Sequence, residues 1–339
     1  WETVTQMDFG FDASFLNNRL TGTFDWYRRN TKDMLVAGAT LPATLGASVP
    51  KSNSADMKTI GWELSLGWND RLENGFSYWV KGVLSDYQAT ITKYAGNDAG
   101  FYSQSDGDGK YYVGQKIGEI WGYHSNGLFQ SDDEAATIDQ SELYAGKWGA
   151  GDVKYEDLDN DGKITKGEET IYNPGDKSII GNKTPRYQFG ITVGFDYKNF
   201  DFEMFWQGTG KRDYMLSGAQ FWGFTSQWDV PYTPALDYWT ETNTDAYFPR
   251  PGWQNGGNRV TSDRYLQSAA YGRLKNLTVG YTIPKNLTTK WGISRLRLYV
   301  TGENLLTITP LNDAFDPETL GGMTYPINRK VAIGLNLTL

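Results

Sequence analysis

From Asp157 to Glu168 the chain reads DLDNDGKITKGE. This D-x-D-x-D-G-x5-E spacing sets oxygen donors at loop positions 1, 3, 5 and 12 and a glycine at the sharp turn of position 6. Such a set fits a hard cation, and Ca2+ is the expected one. Asp157, Asp159 and Asp161 would each give a carboxylate oxygen, Lys163 its backbone carbonyl, Thr165 a direct or water-mediated contact, and Glu168 both carboxylate oxygens. The plain alternative is an acidic solvated turn in which Asp, Asn and Gly supply only loop chemistry. A calcium sensor would need a helix on each side. Here Gly151–Glu156 alternates like a strand, and Ile171–Gly175 is broken by Pro174 and Gly175. The expected role of the ion is therefore to brace a loop.

Other chemistry is thinner. The chain has no Cys, which removes disulfides, thiolate metal sites and thiol nucleophiles together. Its single histidine, His124, has no second His to complete a transition-metal set and reads as structural or solvent-exposed. A net charge of -8 and the lack of any Lys/Arg-rich tract argue against nucleic acid. Phe221, Trp222, Trp228 and Trp239 offer flat faces that could stack on a sugar or a peptide side chain, or could equally pack beneath a long loop. Paired carboxylates and aromatics would also suit a calcium-stabilised soluble β-sandwich, either a glycan-binding protein or a glycoside hydrolase. No spacing identifies the pair of acids that a hydrolase needs.

The elements that would position these residues are strands. With 39 Gly, 13 Trp, 22 Tyr and 16 Phe in 339 residues, composition favours sheet and turn over helix. Period-two alternation picks out nine strands, at 7–15, 20–27, 60–69, 76–84, 187–197, 200–206, 277–283, 296–300 and 331–339. Several exceed the usual ~5–6 residues of globular sheets. No apolar run approaches the ~20 residues of a membrane helix, whereas a spanning strand needs only about ten alternating residues. Short turns near 17–19, 70–75, 198–200 and 284–294 alternate with long links at 35–58, 95–185, 215–268 and 309–326. That inequality is what outer-membrane barrels show, with short turns in the periplasm and long loops outside.

On this reading the fold is an all-β transmembrane antiparallel barrel spanning residues 1–339, and the cation loop lies in the extracellular link 95–185. Trp68, Phe76, Tyr197, Phe200 and Trp291 would form interfacial girdles, while Glu63 and Glu203 would face a polar lumen. Nine is odd, and complete barrels of this kind are even. Together with the missing leader, that points to the C-terminal part of a larger barrel.

Three segments carry a more specific likeness. They are GDVKYEDLDNDGKITKGEET running on to IGNKTPRYQFGITVGFDYKNFDFEMFWQG; LDYWTETNTDAYFPRP from Leu236; and RYLQSAAYGRLKNLTVGYTIPKNL from Arg264, continuing through LRLYVTGENLLTITPLNDAFDPE to the end. In order and spacing they resemble the C-terminal barrel region of SusC/RagA-type TonB-dependent outer-membrane transporters, over most of residues 150–339. The final Leu339 departs from the aromatic residue with which the family often ends. The resemblance implies a 22-stranded barrel in lipid and lipopolysaccharide, with a SusD-like surface lipoprotein as lid and oligosaccharides or oligopeptides as cargo. It also implies energy from the TonB complex, through a plug and TonB box expected before Trp1, and no enzymatic activity.

Overall fold

Long period-two alternation commits backbone to extended structure, and the short turns commit neighbouring strands to antiparallel pairing. The computed structural model describes the chain apart from residues 38–43, 45, 47–49, 96, 98–99, 102–110, 146, 224, 227, 253–255 and 321–324. Its nine long strands are β1 (Thr3–Phe15), β2 (Leu20–Ala37), β3 (Lys51–Arg71), β4 (Ser77–Tyr94), β5 (Arg186–Tyr197), β6 (Phe200–Lys211), β7 (Tyr271–Thr282), β8 (Arg295–Ile308) and β9 (Lys330–Thr338). They form one antiparallel sheet in which the order in space follows the order in the chain.

Register makes one face apolar throughout. Phe11 lies opposite Phe24, Phe24 opposite Leu64, Leu64 opposite Leu84 and Leu84 opposite Phe189. The belt continues as Val193 opposite Met204, Met204 opposite Leu277, Val279 opposite Val300 and Val300 opposite Ile333. A soluble sandwich would cover this belt with a second sheet; among the described residues none packs on it, and Val300 and Ile333 stand exposed.

The opposite face is polar. Thr23 Oγ1 donates to Asp12 at 2.6 Å, and Glu63 and Glu203 both lie on that side, exposed. An ion pair between Asp201 on β6 and Arg297 on β8 passes directly over Gly280 on β7. A β-carbon there would meet both charged groups, so the pair would have to shift to admit any other residue.

At the short-turn end an aromatic girdle closes the belt. Phe76 stacks on Phe195 at 5.5 Å between ring centroids, Phe195 on Phe202 at 5.1 Å, and Phe200 meets Tyr281 at 4.7 Å. The Trp68 indole donates to the Tyr78 hydroxyl at 3.1 Å. Rings with an apolar body and a polar tip suit the boundary between hydrocarbon and water.

At the other end the strands run on past the belt. The expected link at 35–58 is shorter than its alternation implied, because β2 continues to Ala37 and β3 begins at Lys51. Beyond the membrane the outward positions no longer need to be apolar, so the pairing persists where the hydrophobic signal stops. The register shifts between Thr31 and Met34, where Asp33 turns to positive φ and donates its N–H to Asp56 at 2.9 Å.

The main hydrophobic core lies in the long links. Strands 119–123 and 177–182 pair, as do 125–128 and 153–155, and 213–215 with 266–268. Around them Tyr123, Val153, Tyr155, Ile164, Phe221, Phe248, Tyr265 and Phe315 pack into one cluster drawn from all three of the longest links. Asn258, 2% exposed, locks it: its Oδ1 accepts from Val153 N–H and from the Tyr144 hydroxyl, both at 2.8 Å, and its Nδ2 donates to Asp152 at 2.9 Å. No described helix is long and apolar enough to cross a membrane.

The two faces should respond oppositely to charge. In the complete barrel, Leu64→Arg should cost about 2–4 kcal/mol and Ser65→Arg, one residue on and facing inward, about 1 kcal/mol or less. Urea unfolding from lipid vesicles, followed by tryptophan fluorescence, measures both, and equal costs would refute the assignment of faces.

Candidate functional site

The acidic loop leaves the short strand Val153–Tyr155 and is shaped mostly by its own carboxylates. Asp157 accepts from Asn160 N–H at 2.7 Å and from Gly162 N–H at 2.8 Å. Asp161 accepts from Lys163 N–H at 2.8 Å. Lys163 and Asp139 form a parallel bridge, Ile164 N–H donates to Asp139 O at 2.7 Å, and the Ile164 side chain is 1% exposed within the loop core. The loop is thus pinned to the core on one side and open on the other.

On the open side the expected donors separate. Asp157 and Asp159 converge with a third carboxylate, Asp176, and one oxygen from each lies within 4.8 Å of the others. Two ligands of one calcium, each at 2.3–2.6 Å, stand no farther apart than about 5 Å, so a single cation can touch all three. Asp161 and Glu168 lie outside this group. Glu168 sits instead in a tight return where its N–H bonds Asn173 O at 3.0 Å.

Asp176 is a residue that sequence reasoning missed. It lies eight positions beyond the last ligand of the loop pattern, and its only local signal is the Pro174-Gly175 turn ahead of the next strand. The return brings it back by crossing backbones at Gly167 and Gly175. Both adopt φ +57, and each backbone passes too close to the other for a side chain. Asp176 is fully buried. Its Oδ1 accepts from Leu158 N–H and its Oδ2 from Thr165 N–H, each at 2.7 Å, while its own N–H donates to Thr165 O at 3.1 Å.

The electrostatics agree with a site short of positive charge. Burial pushes the Asp176 carboxyl above its ordinary range; the Thr165 and Leu158 N–H groups oppose the shift, and Asp159 and Asp157 add to it. At Asp157 desolvation also raises the carboxyl, but N–H donors from Gly162, Asn160 and Asp161 outweigh it and hold the group below the usual range. A divalent cation would relieve the repulsion among the three.

The four aromatic candidates part company. Phe221 is 1% exposed and Trp239 8%, both inside the loop core, and Trp222 is half-buried with its ring 4.6 Å from that of Tyr265. Burial closes the faces of Phe221 and Trp239 to a solute. Trp228 presents the most open ring of the four, at 83% exposure. His124 serves structure: its Nδ1 lies 2.7 Å from Asp263 and its Nε2 2.7 Å from Ser178, tying three segments together.

The family model described as "TonB dependent receptor-like, beta-barrel" matches residues 1–305. TonB-dependent receptor P3 of Formosa agariphila is 30% identical over 99% of this chain, which covers 34% of that relative. TonB-dependent receptor SusC of Bacteroides thetaiotaomicron is 26% identical over 99% of the chain, covering 32% of its own length. The chain therefore spans about a third of the curated relatives it matches. The solved RagAB peptide importer in its 'open-open' state superposes with a TM-score of 0.75 at 23% identity, over all of this chain and 35% of that one. That likeness carries the fold.

Removing the return carboxylate should open the loop whether or not an ion is present. Asp176→Ala leaves two backbone N–H groups without acceptors, at about 1–3 kcal/mol each. Hydrogen exchange at the Leu158 and Thr165 amides should accelerate while exchange at Val153 stays slow.

Proposed function

Because the chain belongs to the TonB dependent receptor-like β-barrel family, we propose that the protein of which it forms part is a nutrient importer of the SusC kind. The observation that carries the reading is the combination of one lipid-facing belt across nine sequential strands with a folded mass built from the loops at one end. The chain is an outer-membrane barrel segment. Its described residues leave β1 and β9 each with one unpaired edge, and open sheet edges are not tolerated in hydrocarbon, so both edges require partner strands.

The cargo is an oligosaccharide or oligopeptide taken from outside the cell. A SusD-like surface lipoprotein docks on the loop mass, and the TonB complex supplies energy through parts of the protein not contained in this chain. The relatives named for TonB dependence and for SusC support this reading. In it the barrel binds and passes cargo and catalyses no covalent step.

Uptake measurements test the proposal. Cells carrying the full-length protein should accumulate labelled oligosaccharides or labelled oligopeptides only while the inner-membrane TonB complex is intact. Loss of TonB should abolish uptake without lowering the amount of protein in the outer membrane. Unchanged uptake in cells lacking TonB would sink the importer reading.

The acidic loop belongs to this proposal as a structural calcium site formed by Asp157, Asp159 and Asp176. Asp161 and Glu168, expected from the loop pattern, lie outside this group, and Asp176 takes the third carboxylate position. Extracellular calcium fills even a site of ~10⁻⁴–10⁻³ M affinity. Chelation of the full-length protein should therefore raise protease cleavage within 157–176 several-fold, and added calcium should reverse it. An Asp157→Asn, Asp176→Asn double variant should be cleaved equally with and without the ion.

A further inference from the structure

The paired strands Glu119–Tyr123 and Lys177–Asn182 form one wall of a cleft of about 680 Å³, closed on the far side by Tyr214, Met215, Ser217 and Val260. That volume falls within the 300–1,000 Å³ of small-ligand sites. The carboxylates of the candidate cation site do not line it. Both of its walls are built from the long links, at the end of the sheet from which a solute would arrive.

Its chemistry narrows the ligand. Recognition of a neutral sugar relies on open flat aromatic faces, and the rings here are already engaged. Phe101 and Trp121 stack on each other at 3.8 Å and 4°, and Tyr112 meets Trp121 edge-on. Tyr123, 3% exposed, has Tyr155 at 5.5 Å and the Lys177 ammonium over its ring at 5.5 Å. What the cleft presents instead is charge of both signs beside apolar side chains. Lys177 pairs with Glu169 at 2.6 Å, and Lys166 with Glu142 at 3.7 Å. Leu143, Met215 and Val260 lie among them. The Lys166–Glu142 pair is largely exposed and so contributes little to stability. Its two charges can turn to a ligand's own at small cost.

We propose that this cleft binds an extended oligopeptide, with the backbone along the 119–123/177–182 wall and its side-chain charges answered by Lys166 and Glu142. A chain of alternating charged and apolar side chains matches both features at once. A purely anionic glycan would suit Lys166, Lys183 and Arg259 but leave Glu142 and Glu169 facing like charge, and a neutral glycan would make no use of charge of either sign. The proposal rests on the importer reading in taking the peptide to be cargo.

The test uses the full-length protein purified in detergent with any lipoprotein that accompanies it. The probes are a tryptic digest of casein, maltohexaose and oligogalacturonides, with bound species read by native mass spectrometry. Peptides, and neither glycan, should be retained. Ser217→Trp, an exposed rim position, should cut retained peptide at least tenfold. Lys166→Glu should deplete acidic peptides selectively, and thermal unfolding should be unchanged in both variants. Retention of a glycan that Ser217→Trp abolishes, or peptide retention indifferent to both variants, overturns the proposal. TonB-dependent uptake of some other solute that survives Ser217→Trp would overturn the cleft assignment and leave the importer standing. Loss of TonB dependence itself would instead strike the reading on which the cleft rests.

Discussion

Everything in this chain follows from placing the hydrophobic face of a sheet against hydrocarbon. A sheet in water buries that face on another layer and makes its core there. Here the belt from Phe11 across to Ile333 has no protein partner among the described residues, and the face behind it is polar and lines a lumen. Apart from a small cluster of Ala55, Ile91 and Tyr94 at the outer ends of β3 and β4, neither side of the sheet supplies a packed interior. The backbone is held by its ladder of hydrogen bonds, which the membrane makes obligatory because no water is available to replace them.

The interior that the sheet lacks is built above it. Residues from the links after β4, β6 and β8 contribute to one cluster, and the ties between links are polar as well as apolar. Arg273 on β7, 2% exposed, reaches Asp316 with one nitrogen at 2.5 Å and Glu318 with another at 3.0 Å. Asn258 fastens the short turn Gly256–Arg259 of one link to the buried strand Val153–Tyr155 of another. Buried polar groups of this kind penalise every arrangement that leaves them unsatisfied. They therefore fix how the links sit on one another, which a greasy cluster alone would leave loose.

How much of this was legible depends on which rule each residue obeyed. The nine strands were readable because membrane and lumen impose opposite demands on alternate residues, so Phe9, Phe11 and Leu64 declare their side. The upper parts of β2, β3 and β4 were not. Thr31–Ala37 and Lys51–Thr59 lie beyond the belt, with Ala55, Ile91 and Tyr94 buried in a small cluster against Met34, Met57 and Ile117 and the membrane no longer dictating the other face. Phe221 and Trp239 were ambiguous for another reason: a ring that packs and a ring that stacks on a ligand are the same residue type, and only burial separates them. Asp176 could not be found at all from spacing. It joins Asp157 and Asp159 through a backbone crossing of two glycines, a tertiary event with no period.

The geometry of that crossing also bounds what a cation could do. Ile164 is anchored in the loop core and Asp139 bridges the loop through backbone bonds, so the inner half of the loop is held without any ion. The outer half depends on three carboxylates that repel one another, one of them buried and pushed toward its neutral form. A cation there acts on the return segment around Asp176, next to the strand Lys177–Asn182. That strand carries Lys177 into the cleft. Calcium and cleft would thus be coupled through a few residues of one strand, by position and without any change of fold. The strength of such coupling is limited to the difference the ion makes to the placing of that strand.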